Sequence, residues 1–358
     1  MATEILIWEI IEGALVPSEK SMIESGRREA TDLEKWIKSN PSILGEDILI
    51  IGEQIQTKRG PLDFLGIDKA GNLIIIELKR DKLHREVLAQ AIDYVSDIAS
   101  WELDRINSEC EKYTGKKIDE VLIDNFDLDE ESIEELSINT FQKILLVGAG
   151  VDESLQRMVE WLSNNYNVGI NILIFKYAQT KRGDEILAKT AIISEEVEKE
   201  KSQKHQRKIY AERYLLRKEF WTKLLEKANQ KTNLFANISP VRYSWIATGA
   251  GKAGISYNFS VGNKYARCEI YLDAGKNSEE LNKRRFEELF EKKEEIETMF
   301  GNHLNWIRLD EKRASKISFD FKEPILRNKE KWDGIQEQMI DTMIKLVDST
   351  KSHILELE

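Results

Sequence analysis

Cysteine and histidine are scarce in this chain of 358 residues: there are two cysteines, Cys110 and Cys268, and four histidines, His84, His205, His303 and His353. The cysteines lie far apart and outside any C-x-x-C pair, and the histidines show no ligand spacing, which argues against a disulfide framework and a structural zinc site. No uncharged run approaches the roughly eighteen residues of a membrane-spanning helix, so no membrane partner is expected. The start, Met1 to Pro17, mixes apolar residues with Glu4, Glu9 and Glu12 and has no basic leader, which makes a cytoplasmic location the expectation. Internal repeats and low-complexity tracts are also lacking.

What is present is an ordinary globular composition, 41% hydrophobic and 33% charged, in a chain long enough for two domains with separate cores. The net charge of −11 runs against nucleic-acid binding, whose non-specific part comes from neutralising phosphates. Its distribution is uneven. Residues 214–358 hold 25 basic and 23 acidic residues, whereas residues 1–213 hold 28 basic and 41 acidic. Asp119 to Glu135 alone contributes nine acidic residues and no basic one. Such a run is expected to be a solvated loop or insertion; an acidic flap over a basic groove is the other reading.

Leu33, Trp36 and Ile37 fall at helical spacing within Arg27 to Ser39, and Asn40-Pro41 closes that helix. The period then becomes that of strands over Glu46 to Gln56, Pro61 to Ile67 and Leu73 to Lys79, with turns at Lys58-Arg59-Gly60 and at Asp68 to Asn72. A helix over His84 to Trp101 follows, then strand (Phe141 to Val147), helix (Asp152 to Asn165) and strands (Val168 to Phe175, Ile186 to Ile193). Leu73 to Ile76 and Ile170 to Phe175 are apolar on both faces, as central strands must be, so residues 1–193 read as an α/β domain with a mixed sheet flanked by helices. Residues 194–213 are charged and poor in core residues, which suits a helical linker. Residues 214–358 then read as a second, α+β domain: helix, strands from Val241 to Leu272 with a turn at Gly262-Asn263, helix from Ser278 to Phe300, short strands and a last helix from Lys329.

The chemistry concentrates on one hairpin. If residues 68 to 72 form its loop, Ile67 pairs with Leu73 and Leu65 with Ile75, so Asp63 lands across from Glu77 and Lys79 shares the face of Glu77. Two opposed carboxylates destabilise a sheet, and a divalent cation between them removes the conflict. Mg²⁺ or Mn²⁺ suits a site of one or two carboxylates completed by water and phosphate oxygens, with Lys79 available to offset charge at phosphorus. The plainer reading is a cross-strand ion pair on a wet face. Against it, Glu-x-Lys ends the run Leu-Ile-Ile-Ile, too apolar for a solvated strand, and Gln90 and Tyr94, four apart on one helix face, flank the strand ends.

The stretch LEKWIKSNPSILGEDILIIGEQIQTKRGPLDFLGIDKAGNLIIIELKRDKLHREVLAQAIDYV resembles the PD-(D/E)XK nuclease superfamily, in its RecB-like, NucS-like branch. The resemblance implies a restriction-endonuclease-like fold and a metal-dependent endonuclease acting on DNA, in genome defence or repair. It implies an active site of Asp63, Glu77, Lys79, Gln90 and Tyr94. A first-helix glutamate, Glu34 or failing that Glu29, would complete a metal shell with Asp63 and Glu77; by residue reading alone Glu34 is one charge on an amphipathic helix. Pro61-Leu62-Asp63 departs from the adjacent proline and aspartate of the motif. NucS-like enzymes carry a separate domain before the nuclease, so their mismatch specificity is not carried over. The C-terminal part resembles an uncharacterised domain found behind such nucleases.

Lys58, Arg59, Arg80, Lys82 and Arg85 flank the site and are candidates to steer phosphates, or else ordinary surface charge. Gly249 to Gly254 lacks the features of a P-loop, and Gly148 to Glu153 reads as a tight turn. Trp221, Tyr243, Trp245, Tyr257 and Trp306 could stack bases, although aromatics in a domain of this size are expected mainly in its core. Cutting both strands of a duplex calls for two sites, so a homodimer is the expected assembly for that reaction. The competing function is a catalytically silent nucleic-acid-binding or regulatory protein on a nuclease scaffold; an RNase is a third.

Overall fold

Strand pairing follows the turn chemistry closely. In the computed structural model, which describes every residue except 1–5, 18–21, 23, 29–31, 59, 127, 129–131, 134–135, 264 and 322–324, the chain opens with a hairpin of β1 (Trp8–Ile11) and β2 (Ala14–Pro17). Its turn residues Glu12 (φ 51) and Gly13 (φ 83) are both left-handed, the two-residue turn that matches strand twist. Helix α1 is Glu34–Ser39, shorter than the expected Arg27 to Ser39, and ends where Pro41 follows Asn40. Residues 29–31, with Glu29, lie outside the described residues.

Next comes an antiparallel meander of β3 (Ile48–Thr57), β4 (Gly60–Asp68) and β5 (Leu73–Leu78). A short β6 (Lys82–Leu83) precedes helices α2 (Glu86–Ile98), α3 (Leu103–Thr114) and α4 (Ile118–Phe126). Then follow β7 (Gln142–Gly148), β8 (Gly150–Val151), α5 (Glu153–Tyr166), β9 (Gly169–Gln179) and β10 (Glu185–Ala191). The six-stranded sheet runs β10-β9-β7-β5-β4-β3. β5, β7 and β9 are parallel while both flanks are antiparallel, so the expected mixed sheet is present. Its central strands are apolar on both faces because helices cover both. α1 packs Leu33 and Ile37 with Phe64, Ile76 and Leu78 on one side, and α2 to α5 cover the other.

The first part of the acidic segment is helix α4 and not the expected solvated loop. Ile118, Val121 and Leu122 are spaced three and four apart and bury against Ile106 and Cys110 of α3, while Asp119, Glu120 and Asp124 lie on the other side of that helix. The other six acids of the segment lie outside the described residues.

The chain separates into two compact units, residues 1–206 and 207–358. The boundary falls inside one continuous helix, α6 (Glu195–Lys231), so the charged stretch expected as a linker and the helix expected after it are a single element. In the second unit β11 (Trp245–Gly249), β12 (Ile255–Val261) and β13 (Ala266–Leu272) form a meander. The helix expected over Ser278 to Phe300 breaks at Lys292 into α7 (Glu279–Glu291) and α8 (Lys293–Phe300). β14 (Asn305–Ile307), β15 (Ser315–Phe321) and α9 (Trp332–Glu356) complete an α+β unit with an antiparallel sheet ordered β11-β12-β13-β15-β14. One sheet face, with Tyr257, Phe259, Ile270 and Ile317, joins Trp221, Leu289 and Met339 in the core. The other carries Asn258, Arg267, Glu269 and Asp320. There Arg267 holds Asp320 through two bonds (2.7 and 3.0 Å), and burial raises the Glu269 carboxyl above its usual range.

Glu297 of α8 organises the turn into β14. It accepts from the Leu304 amide (2.9 Å) and Trp306 Nε1 (3.0 Å) and contacts His303 Nδ1 (2.9 Å). Burial opposes its charge, but these hydrogen bonds win and hold it at about 2 against an ordinary 4.5. A depressed folded value means stabilisation that is complete above about pH 4.5 and is lost as pH falls toward 2. Glu297→Gln should therefore cost about 1–3 kcal/mol at pH 7. Denaturant titrations at stepped pH should show the gap to the parent closing in that window; a gap constant with pH would contradict this account.

Candidate functional site

The β4–β5 register is the expected one, with Ile67 on Leu73, Leu65 on Ile75 and Phe64 on Ile76. The ladder stops there. Asp63 and Glu77 stand one step further on, where the strands part, so two carboxylates need not face each other at ladder distance. In place of a backbone partner, the Leu78 amide donates to Asp63 Oδ2 (2.8 Å). The other Asp63 oxygen accepts from Gln54 Nε2 (3.2 Å). Glu77 is only 2% exposed, and its Oε1 takes Lys79 Nζ at 2.7 Å. Lys79 is itself fixed through its backbone, whose amide donates to Val147 O (2.8 Å) and so extends the β5–β7 pairing.

Gln90 and Tyr94 occupy the same sheet face as Glu77 but grip a different point. Gln90 Nε2 donates to Tyr94 Oη (2.9 Å), and Tyr94 Oη donates to Pro61 O (3.0 Å), two residues before Asp63. The tyrosine is 3% exposed and packs with Leu62, Leu65 and Ile75. Its hydroxyl thus ties α2 to the head of β4. Glu34 begins α1, whose buried side packs with Phe64, Ile76 and Leu78 on the opposite face of the sheet from Glu77. Among the described residues no group of three or more His, Cys, Asp or Glu side chains is arranged to hold a metal ion. Asp63 and Glu77 remain as a two-carboxylate, all-oxygen donor pair on adjacent strands. That suits a hard cation with the rest of its shell from solvent and substrate.

The flanking cations are mostly engaged with acids. Lys58 gives its amide and its ammonium to Asp97 of α2, each at 3.2 Å. Burial disfavours the Asp97 charge, yet these bonds bring its carboxyl below the usual range. Arg80 meets Asp81 and Arg85 meets Glu86, both at 3.2 Å and on the surface. Lys82 is exposed on β6, and Arg59 lies outside the described residues. Gln54 was not anticipated. Its left-handed backbone (φ 48) interrupts the β3–β4 pairing between Glu53–Phe64 and Ile55–Leu62, which turns its amide toward Asp63. A polar glutamine between Glu53 and Ile55 gives no signal of such a break in the sequence.

A cleft of about 370 Å³ lies at the other end of β4, around the turn to β5. Of its four acids, Asp68 accepts from the amides of Ala70 and Asn72 (both 3.0 Å) and pairs with Lys143 (2.8 Å), Asp47 pairs with Lys69 (3.2 Å) and Glu46 with Lys199 (3.8 Å), and Glu198 completes the set.

Residues 29–106 match the family described as Endonuclease NucS C-terminal domain, and residues 216–354 match a domain of unknown function, DUF4268. Endonuclease NucS of Aeropyrum pernix is 37% identical over 67 residues, 18% of this chain and 26% of that one. The Pyrococcus horikoshii protein of the same name is 33% identical over 67 residues, 19% of this chain and 26% of its own. The chain thus spans about a quarter of the length of these relatives. Among solved structures, a repair endonuclease from Pyrococcus abyssi covers 40% of this chain and 46% of its own at 17% identity and a TM-score of 0.23. A complex titled EndoMS-dsDNA2 covers 39% and 42% at 16% identity and a TM-score of 0.24.

Two stability outcomes follow from the contacts, both measured by melting in chelator. Lys79→Met takes the cation from a buried carboxylate and should cost about 2 kcal/mol, below the figure for a fully buried pair because Lys79 is 38% exposed. Adding Glu77→Gln to it should recover most of that loss; a double variant no better than Lys79→Met would refute the pairing. Tyr94→Phe should cost about 1 kcal/mol by freeing the head of β4.

Proposed function

We propose that the N-terminal unit is a divalent-metal-dependent nuclease that hydrolyses phosphodiester bonds endonucleolytically, with DNA as substrate. The reading is carried by the convergence of Asp63, Glu77 and Lys79 at the parted end of β4 and β5, within the stretch that matches the NucS C-terminal domain. A family match over that stretch and relatives named as endonucleases support it.

Asp63 and Glu77 would hold Mg²⁺ or Mn²⁺, which supplies Lewis-acid charge at the phosphoryl group. In hydrolysis water adds to phosphorus, one P–O ester bond breaks and the leaving oxygen takes a proton. Charge builds on the phosphoryl oxygens as this happens. Lys79, set beside Glu77 by the pairing of its own backbone with Val147, would offer its ammonium to that charge. Gln90 and Tyr94 act through Pro61 and set the position of Asp63, so they are positioning residues. Lys58, Arg80, Lys82 and Arg85 would meet phosphates from the segments that flank the site, and Glu34 is outside the shell that we assign.

The alternative, a silent binding protein on a nuclease scaffold, draws on one observation: among the described residues, no third acid joins Asp63 and Glu77. One experiment separates the two. Labelled DNA and RNA are incubated with the full chain in Mg²⁺, Mn²⁺ or EDTA, and Mn²⁺ binding is measured by calorimetry on the same variants. Asp63→Ala and Glu77→Ala should lose metal binding and cleavage. Lys79→Met should keep metal and lose cleavage by on the order of 10²–10³-fold. Gln90→Ala and Tyr94→Phe should be milder. Parental cleavage in Glu77→Ala would sink the assignment.

A further inference from the structure

Four large aromatic side chains of the C-terminal unit stand in solvent. Tyr210 (43% exposed) and Tyr214 (38%) are one turn apart on α6, Tyr243 (56%) lies in the loop before β11, and Trp245 (50%) begins that strand. The three tyrosines are linked by stacking and by arginine, and Trp245 follows two residues after the last of them. The Tyr210 and Tyr214 rings are stacked with centroids 6.4 Å apart. The exposed Arg242 has its guanidinium 5.7 Å from the Tyr214 ring and 5.8 Å from the Tyr243 ring. The loop is anchored from below, since the buried Trp221 of α6 donates its Nε1 to Tyr243 O (2.9 Å). Tyr210, Tyr214 and Tyr243 therefore belong to one surface on a fixed backbone, and the exposed Trp245 extends it two residues along the chain.

Other aromatics of the unit show what is unusual here. Of the five singled out as possible base-stacking residues, Trp221 and Tyr257 are core and Trp306 is partly buried, as aromatics normally are, while Tyr243 and Trp245 are not. The surrounding exposed charge is positive in an otherwise acidic chain: of residues 207–218, Arg207, Lys208 and Lys218 are exposed against the one acid Glu212, while Arg213 and Arg217 are buried. Rings with an interleaved guanidinium and a basic helix match one ligand chemistry well. An unpaired nucleic-acid strand offers flat bases to stack and phosphates to neutralise, whereas a duplex keeps its bases stacked on each other. We propose that Tyr210, Tyr214, Arg242, Tyr243 and Trp245 form a stacking platform for single-stranded nucleic acid. The platform is independent of cleavage and can be tested without it.

The test uses the full chain in EDTA, with oligothymidylate of about twelve nucleotides followed by fluorescence anisotropy. An abasic sugar-phosphate oligomer and a blunt duplex of the same length serve as comparisons. Oligothymidylate should bind at least about tenfold more tightly than the abasic oligomer. Trp245→Ala and Tyr243→Ala should each weaken binding at least about fivefold with unchanged melting temperature, and Trp245→Phe should restore it. Arg242→Ala offers an independent probe on the same platform and should also weaken binding. Three results would overturn the proposal. One is aromatic variants that bind within twofold of the parent. Another is abasic oligomer held as tightly as oligothymidylate, which would mean charge alone. The third is a loss of self-association, with oligonucleotide binding intact, in the same variants, which would make the surface a protein interface.

Discussion

The end of the β4–β5 ladder is the constraint on which the candidate site depends. Two carboxylates from neighbouring strands cannot be held opposite each other by continued pairing without repulsion. The strands part after Phe64–Ile76, and the amide that would go unmet, that of Leu78, is taken by Asp63 itself. One acid thus replaces a backbone acceptor, while the other, buried, leans on Lys79. What brings these residues and not their neighbours to that point is register, and register is pinned at the far end of the hairpin. Asp68 caps the turn by accepting from Ala70 and Asn72, and Gly71 supplies the left-handed residue (φ 78) that the turn requires. A slip of one residue there would send Glu77 to the other face.

Helix α2 supplies the second restraint. Tyr94 holds Pro61 and Asp97 holds Lys58, so two side chains one helical turn apart clasp the two sides of the β3–β4 connection. This changes the meaning of two sequence features. Gln-x-x-x-Tyr holds the backbone of β4 through Pro61, and Lys58 has a structural engagement beside any role toward phosphate. Both contacts converge on the segment that carries Asp63, so α2 bears on the position of that acid through the backbone of β4.

Much of this was legible in the sequence because strand period and turn composition are local signals. Residues 68 to 72 announced the hairpin, the apolar run before Glu77 announced a central strand, and helical spacing placed Gln90 and Tyr94 together. The failures are of three kinds. The position of Gln54 depends on a broken pairing that no residue type marks. The shortness of α1, and the face it covers, come from tertiary packing of Leu33 and Ile37. The helix α4 was hidden by counting charge, since its three acids and those that follow it dominate the composition while Ile118, Val121 and Leu122 decide its packing.

The same error of summing applies to the charge of the whole chain. A net −11 describes no surface that a ligand meets. The acids of residues 1–213 include those spent inside the fold on defined partners: Asp68 on a turn, Asp97 on a lysine, Asp152 on the Leu155 amide in the first turn of α5. Acids consumed in this way repel an approaching phosphate less than exposed ones, because each is already compensated by a donor at hydrogen-bond distance. The positive helix between residues 207 and 218, by contrast, keeps Arg207, Lys208, Lys218 and both its tyrosines outward, although Arg213 and Arg217 are buried. Long-range attraction is set by such exposed local charge within about a Debye length of the ligand, on the order of 10 Å in ordinary salt, and not by the total.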